Sequence, residues 1–217
     1  GYEYLYLTGH PMGSELYYQC IGINRTEEDL KNYPQMAGSG LGDYIYKDID
    51  ENGKIDAKDM LRSDLNTIPQ IVFGLTANFQ YKNFDLSILF QGQALARLHY
   101  TPLQAPLEGN ITKEMATQSW NLDRPDAKYG RINSTNNRKE STMWLRNASF
   151  LRLKNVELGY NFSGKALKTV GVKGLRLYIG GYNLFTISGL KEVDPETNNT
   201  AAYPLMRVFN TGVKVTF

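Results

Sequence analysis

The stretch "IVFGLTANFQYKNFDLSILF", Ile71 to Phe90, decides how the rest of the chain is read. Its first half places Phe73, Leu75, Ala77, Phe79 and Tyr81 at alternate positions, with Gly74, Thr76, Asn78, Gln80 and Lys82 between them. A period of two puts these sets on opposite faces of a β-strand, one oily and one wet. Asn83 supplies a turn, after which Phe84, Leu86, Ile88 and Phe90 alternate against Asp85, Ser87 and Gln91, with Leu89 the exception. The spacing predicts a hairpin with a very short connection.

Three further segments carry the same pattern. In "FLRLKNVELGYNF", Val156, Leu158, Tyr160 and Phe162 share one parity, whereas Leu151 and Leu153 have the other, which predicts a bulge near Asn155. "LRLYIGGYNLFTI" sets Leu175, Leu177, Ile179 and Phe185 against Arg176, Tyr178 and Tyr182, and "MRVFNTGVKVTF" aligns Phe209, Val213, Val215 and Phe217. Earlier in the chain, "YEYLYL" and "ELYYQCIGI" read as aromatic strands and "NRTEEDLKNY" as a short helix or loop. Ala166 to Val170 has room for one helical turn.

Composition narrows the class. No apolar run approaches the roughly 20 residues of a membrane-spanning helix, but a transmembrane barrel needs only alternating strands of about 10. The 24 Lys and Arg nearly balance the 22 Asp and Glu, so there is no broad electrostatic footprint for nucleic acid. One cysteine, Cys20, excludes an internal disulfide framework and a thiolate zinc site. The expected fold is all-β, an antiparallel transmembrane β-barrel segment with long extracellular loops. A soluble β-sandwich, burying the same oily face against a second sheet, also predicts alternation. Aromatic residues near strand ends and long polar connections on one side only favour the barrel. On that reading Phe73, Phe79, Tyr81, Phe84, Phe90, Val213, Val215 and Phe217 face the membrane, and Asn78, Gln80, Gln91 and Arg176 face the lumen.

Several segments together resemble the SusC/RagA type of TonB-dependent outer-membrane nutrient transporters. They are "GDYIYKDIDENGKID", "VFGLTANFQYKNFDLSILFQGQ", "SFLRLKNVELGYNF", "LRLYIGGYNLFTIS", "DPE", "YPL" and the strand ending in Phe217, in the family's order from about Gly42 onward. The resemblance implies the C-terminal strands, roughly eight of about 22, of a plugged barrel in the bacterial outer membrane. The plug domain, the TonB-contacting N-terminal region and the preceding strands would lie outside residues 1–217. It also implies a SusD-like surface lipoprotein as partner, with oligosaccharide or peptide as cargo, glycan being the family-level expectation. That partnership would rest on long extracellular loops, within Ala94 to Ser149 and Leu190 to Leu205. Outer-membrane lipid would bathe the wall.

One motif stands apart. In "DIDENGKIDAKD", Asp48, Asp50, Asn52, Asp56 and Asp59 fall at positions one, three, five, nine and twelve of a calcium loop, Lys54 offers a backbone carbonyl at seven, and Gly53 stands at the turn. Asp in place of Glu at position twelve shortens the reach, and no helix pair flanks the loop. A structural calcium and a metal-free Asx-turn network both fit. Trp120 is a candidate for stacking on a sugar ring, and Trp144, which precedes a strand, reads as packing or interface. His10 and His99 have no matching cluster and read as exposed loop residues. Asp194 and Glu196 form a carboxylate pair that could act as acid and base, but Pro195 between them marks a turn. No enzymatic motif is present. The competing reading is a soluble, calcium-stabilised β-sandwich that binds glycan.

Overall fold

In the computed structural model, residues 5–100, 111–162, 167, 169, 171–191, 193–197 and 202–217 are described. They fall into two compact units, one of residues 1–68 and 97–146, the other of residues 69–96 and 147–217. The expected helical turn at Ala166 to Val170 lies outside the described residues except for two positions, as does most of "YEYLYL"; Leu5 to Leu7 are not a strand. No helix among the described residues is long and apolar enough to cross a membrane.

The second unit is one antiparallel sheet. Its strands are β5 (Ile71–Tyr81), β6 (Phe84–Ala94), β9 (Phe150–Phe162), β10 (Gly174–Ser188) and β11 (Val208–Thr216), in the order β11-β10-β9-β6-β5. The hairpin at Lys82–Asn83 is as short as expected. Among the described residues five such strands stand where the resemblance led us to expect roughly eight; the strands of the other unit are three or four residues long.

Register explains why the sheet has one oily side. Tyr81, Phe84, Tyr160, Leu177 and Val213 form one cross-strand row, and Phe79, Leu86, Leu158, Ile179 and Thr211 the next. The interleaved row is Gln80, Asp85, Gly159, Tyr178 and Gly212. A one-residue slip would exchange the faces, and β9 contains such a slip in its sequence. The structure absorbs it at Lys154: Leu89 pairs with Asn155 and Phe90 with Leu153, leaving Lys154 as the extra residue. This bulge, one position from the expected one, returns Leu151 and Leu153 to the face of Val156 and Leu158.

Among the described residues, no second layer covers the oily face. Phe79 is 59 % exposed and Val213 61 %, and Phe73, Tyr81, Phe84, Ile179 and Phe209 are exposed as well. Aromatic rings collect at the turn end, where Phe84 and Tyr160, and Tyr160 and Phe162, meet edge to face at 4.7 Å. The 11 residues of β5, at about 3.3 Å each and tilted by about 45°, cover the ~25 Å apolar belt of an outer-membrane barrel.

The first unit is ordered by polar groups as much as by packing. It contains β1 (Glu15–Tyr18) paired with β4 (Met60–Ser63), β2 (Cys20–Ile23) paired with β3 (Tyr44–Tyr46), and β7 (Arg97–His99) paired with β8 (Leu145–Asn147). Helix α1 (Glu27–Asn32) starts on a capping box between Thr26 and Asp29, and α2 (Lys113–Gln118) on a Thr112 cap. The segment read as one long polar loop is therefore largely built structure. Its centre is a buried network: Arg131 forks onto Asp43 at 2.7 and 2.8 Å, and Asn137 accepts from the Tyr44 backbone N–H at 2.7 Å. Asn137 also donates to the Gly42 and Arg131 carbonyls. Trp144 is buried edge-on against Tyr44 at 5.8 Å, so it packs the unit.

Gly42 holds this network together by lacking a side chain. Its φ is +82°, and a Cβ there would lie 2.3 Å from the Trp120 ring. Gly42→Ala therefore meets both a strained backbone and a filled space, and we expect a loss of about 2–3 kcal/mol. Limited proteolysis should cut the variant's first unit while leaving the five-stranded sheet intact.

Candidate functional site

The face opposite the oily one carries Asn78, Gln80, Gln91 and Arg176, as expected from alternation, and two ion clusters that alternation does not announce. Near the turn end, Arg176 on β10 reaches Asp85 on β6 and, at 2.8 Å, Glu157 on β9, while Asn161 donates to Asp85. Gly159 makes this possible, since a Cβ there would sit 2.4 Å from the Arg176 guanidinium. Three neighbouring strands are thus bridged across their polar face.

The second cluster lies toward the loop end. Arg152, 2 % exposed, donates to Thr186 Oγ1 at 3.0 Å, to Glu196 at 2.9 Å and to Asp194 at 2.6 Å. Lys154, the bulge residue, donates to the other oxygen of Glu196 at 2.6 Å. Gln93 adds a bond to the Pro195 carbonyl at 3.3 Å. The "DPE" turn is in this way pinned onto β6 and β9, with Thr186 of β10 orienting Arg152. Burial pushes the Asp194 carboxyl upward, but the Glu196 N–H, the Arg152 guanidinium and the Leu205 N–H together outweigh it and hold the group below its ordinary value. Asp194 and Glu196 are therefore anchors whose lone pairs are engaged, which removes them as an acid–base pair.

The acidic loop gathers part of its expected set. Ligand oxygens of Asp48, Asp50 and Asp59 lie within 4.8 Å of one another. Asp59 is buried and accepts from Ile49 N and Asp56 N, Asp48 accepts from Gly53 N at 2.8 Å, and Asn52 accepts from Lys54 N. Asp56 instead caps the short 3-10 turn Ala57–Asp59 by accepting from Lys58 N and is not among the converging carboxylates. Lys54 has only its carbonyl to offer a cation. Three carboxylates this close repel one another, and a hard dication with oxygen ligands relieves that repulsion, so Asp48, Asp50 and Asp59 fit calcium.

The remaining candidates separate from these clusters. Trp120 has one ring face against Gly42, is half-buried, and donates its backbone N–H to Tyr129. Phe73, Phe79, Tyr81, Phe84, Phe90, Val213 and Val215 all fall on the oily face, and Phe217 follows in the same alternation. His10 pairs with Asp64 at 2.7 Å on the surface. His99, contrary to its expected exposure, is 18 % exposed and pairs with Glu140, because β7 places it beside the Tyr17 ring. Sequence reading missed Arg152 and Lys154 as partners of the "DPE" turn. The available signal was two cations close together in a strand whose one other charged residue is Glu157.

With this geometry in view, comparison with known proteins is informative. No protein-family model matches the chain. TonB-dependent receptor P3 of Formosa agariphila is 28 % identical over 96 % of this chain and 22 % of its own length. TonB-dependent receptor SusC of Bacteroides thetaiotaomicron is 28 % identical over 80 % of this chain and 19 % of its own. The fold superposes on a chain of the RagAB peptide transporter with a TM-score of 0.72 at 22 % identity, covering 94 % of this chain and 23 % of that one. The chain spans about a fifth of the length of the curated relatives it matches. The relatives it matches are TonB-dependent receptors, SusC among them, and its all-β fold is that of a part of the RagAB chain; the five-stranded sheet is open at β5 and β11 among the described residues.

Asp194 gives a pH test with a definite sign. Its folded value lies below its ordinary value of 3.8, so its stabilisation is complete above that pH and fades as pH falls through the folded value. Asp194→Asn leaves Arg152 underpaired in a buried site and should cost about 3 kcal/mol. Protease cleavage after Lys191 should accelerate in the variant at neutral pH, and in the parent only in acid.

Proposed function

We propose that this chain forms part of the wall of an outer-membrane, TonB-dependent importer, excluding lipid on one face and lining a polar passage with the other. The observation that carries this is the single-layer sheet, with a continuous oily face left uncovered and a charged, hydrogen-bonded face behind it. Closure of such a sheet into a barrel is obligatory in hydrocarbon, where every open N–H and C=O at an edge costs several kcal/mol. A sandwich would require a second sheet over Phe79 and Val213, and both are exposed.

The names of the relatives support the rest of the reading. The outer membrane as location, energy coupling through TonB and capture with a SusD-like surface lipoprotein follow from the likeness to SusC and to the RagAB assembly. Cargo is an oligosaccharide or a peptide: the resemblance of the sequence carries the glycan expectation, and the likeness to the RagAB peptide transporter supports a peptide. In this reading the half-buried Trp120 is the residue that would stack on a sugar or peptide group. A calcium ion on Asp48, Asp50 and Asp59 serves as a structural staple of its loop.

Charge placement tests the wall. Ile88→Arg sits on the oily face near mid-height and should cost about 2–4 kcal/mol, whereas Ser87→Arg on the polar face should cost less than about 1. The measurement is urea unfolding of the bilayer-inserted receptor that carries this segment, and equal costs would refute the assignment. For the staple, calcium should slow proteolysis of the 48–59 loop relative to chelator, and Asp50→Asn should abolish the difference while leaving the Asp56-capped turn in place.

A further inference from the structure

At its loop end the polar face is hollowed. A pocket of about 380 Å³ lies there within the second unit, where Arg152 of β9 stands opposite Thr186 of β10. Asp194 and Pro195 of the "DPE" turn line it, and so do Leu205 and Arg207 from the segment just before β11. A hollow of this size holds a small ligand or the end of a longer one.

The charges around the pocket do not balance. Asp194 is the one carboxylate among the described residues that line it, and both its oxygens are taken: Oδ1 accepts from Arg152 and from the Glu196 N–H, and Oδ2 accepts from the Leu205 N–H at 3.2 Å. Together with Glu196 and Lys154, Arg152 and Asp194 make a set of two cations and two carboxylates that cancels. Arg207 stands outside that set. It is exposed, and among the described residues it has no hydrogen-bond or ion-pair partner.

The approach to Arg207 is nevertheless fixed. The β9–β10 ladder is interrupted between Tyr182 and Phe185, and there Asn183, at a φ of +53°, donates its side-chain amide to the Met206 carbonyl at 3.1 Å. That bond ties the backbone entering Arg207 to the pocket's edge. Thr186 supplies a second donor, because its Oγ1 accepts from Arg152 at 3.0 Å while its own proton has no acceptor among the described residues. A guanidinium fork and a hydroxyl on the wall of one pocket match a carboxylate. Leu190, Pro195 and Leu205 add aliphatic surface to the same walls. A carboxylate with an aliphatic group one carbon away is the last residue of a peptide, whereas a sugar acid brings a carboxylate with hydroxyls beside it.

We propose that this pocket is a subsite for peptide cargo, in which Arg207 and Thr186 hold the C-terminal carboxylate and the last side chain lies against Leu205. The proposal rests on the reading of the polar face as the passage of an importer, and takes the peptide branch of that reading. Arginine suits the task better than lysine, since its planar fork pairs with both carboxylate oxygens at once.

The test uses the full-length receptor in detergent and a pool of N-acetylated hexapeptides, randomised over uncharged residues and ending in leucine, made either with a free C-terminal carboxylate or as the amide. Mass spectrometry quantifies what the receptor retains. We expect about tenfold stronger retention of the free acid. Arg207→Gln should bring the acid down to the level of the amide, leave the amide unchanged, and so report a folded receptor; Arg207→Lys should restore part of the preference. Equal retention of acid and amide by the parent, or a preference that survives Arg207→Gln, overturns the subsite alone and leaves a peptide importer standing. Retention of neither pool overturns the subsite together with the peptide branch, and trigalacturonate retained only with Arg207 present would then make a sugar acid the occupant. Failure of the wall itself is read separately, in equal unfolding costs for Ile88→Arg and Ser87→Arg.

Discussion

Everything in the sheet depends on keeping one parity of side chains on one side across five strands. A strand has only two faces, so an unmatched residue anywhere would send the rest of that strand's apolar set to the polar side. In β9 the unmatched residue is Lys154, and the fold removes it from the count by bulging it out. The cost of the lost pairing is offset by what the bulge enables. A long cationic side chain is aimed at Glu196, where it joins Arg152 in fixing the turn between β10 and β11. The same residue thus preserves the oily face and anchors a loop-end connection on the other.

The polar face follows a different economy. Charges there are shared between neighbouring strands: Arg176 bridges β6 and β9 from β10, and Arg152 gathers Asp194 and Glu196. Removing one member of such a cluster leaves a charge underpaired, which is the expensive case; the intact cluster contributes more to geometry than to stability. That suits a wall segment, whose task is to keep a fixed polar surface while its other side accommodates hydrocarbon.

In the first unit the order is reversed, because polar contacts do what a broad apolar core does elsewhere. Asp43, Asn24, Asp59 and Ser141 are fully buried, as are Trp144, Tyr44 and Tyr129. Short strands of three or four residues bury little apolar area, so their arrangement relies on hydrogen-bonded Asn and Asp side chains and on Gly42 making room for Trp120. Such contacts link residues about 90 apart in sequence, as Tyr44 to Asn137 does.

By itself the sequence determined the alternating strands, the tight Lys82–Asn83 turn, the approximate place of the β9 bulge and the residues that share the oily face. All of these follow from a period of two, which is local. It also displayed the acidic loop, whose spacing is local as well, though only the fold shows that Asp48, Asp50 and Asp59 converge while Asp56 is occupied in capping. Which cations meet which carboxylates, how residues 111–146 become built structure, and the pocket beside Arg207 were decided by tertiary structure alone. Each depends on strand order and register between distant segments, and a one-dimensional pattern specifies the face of a residue without specifying its neighbour across the sheet.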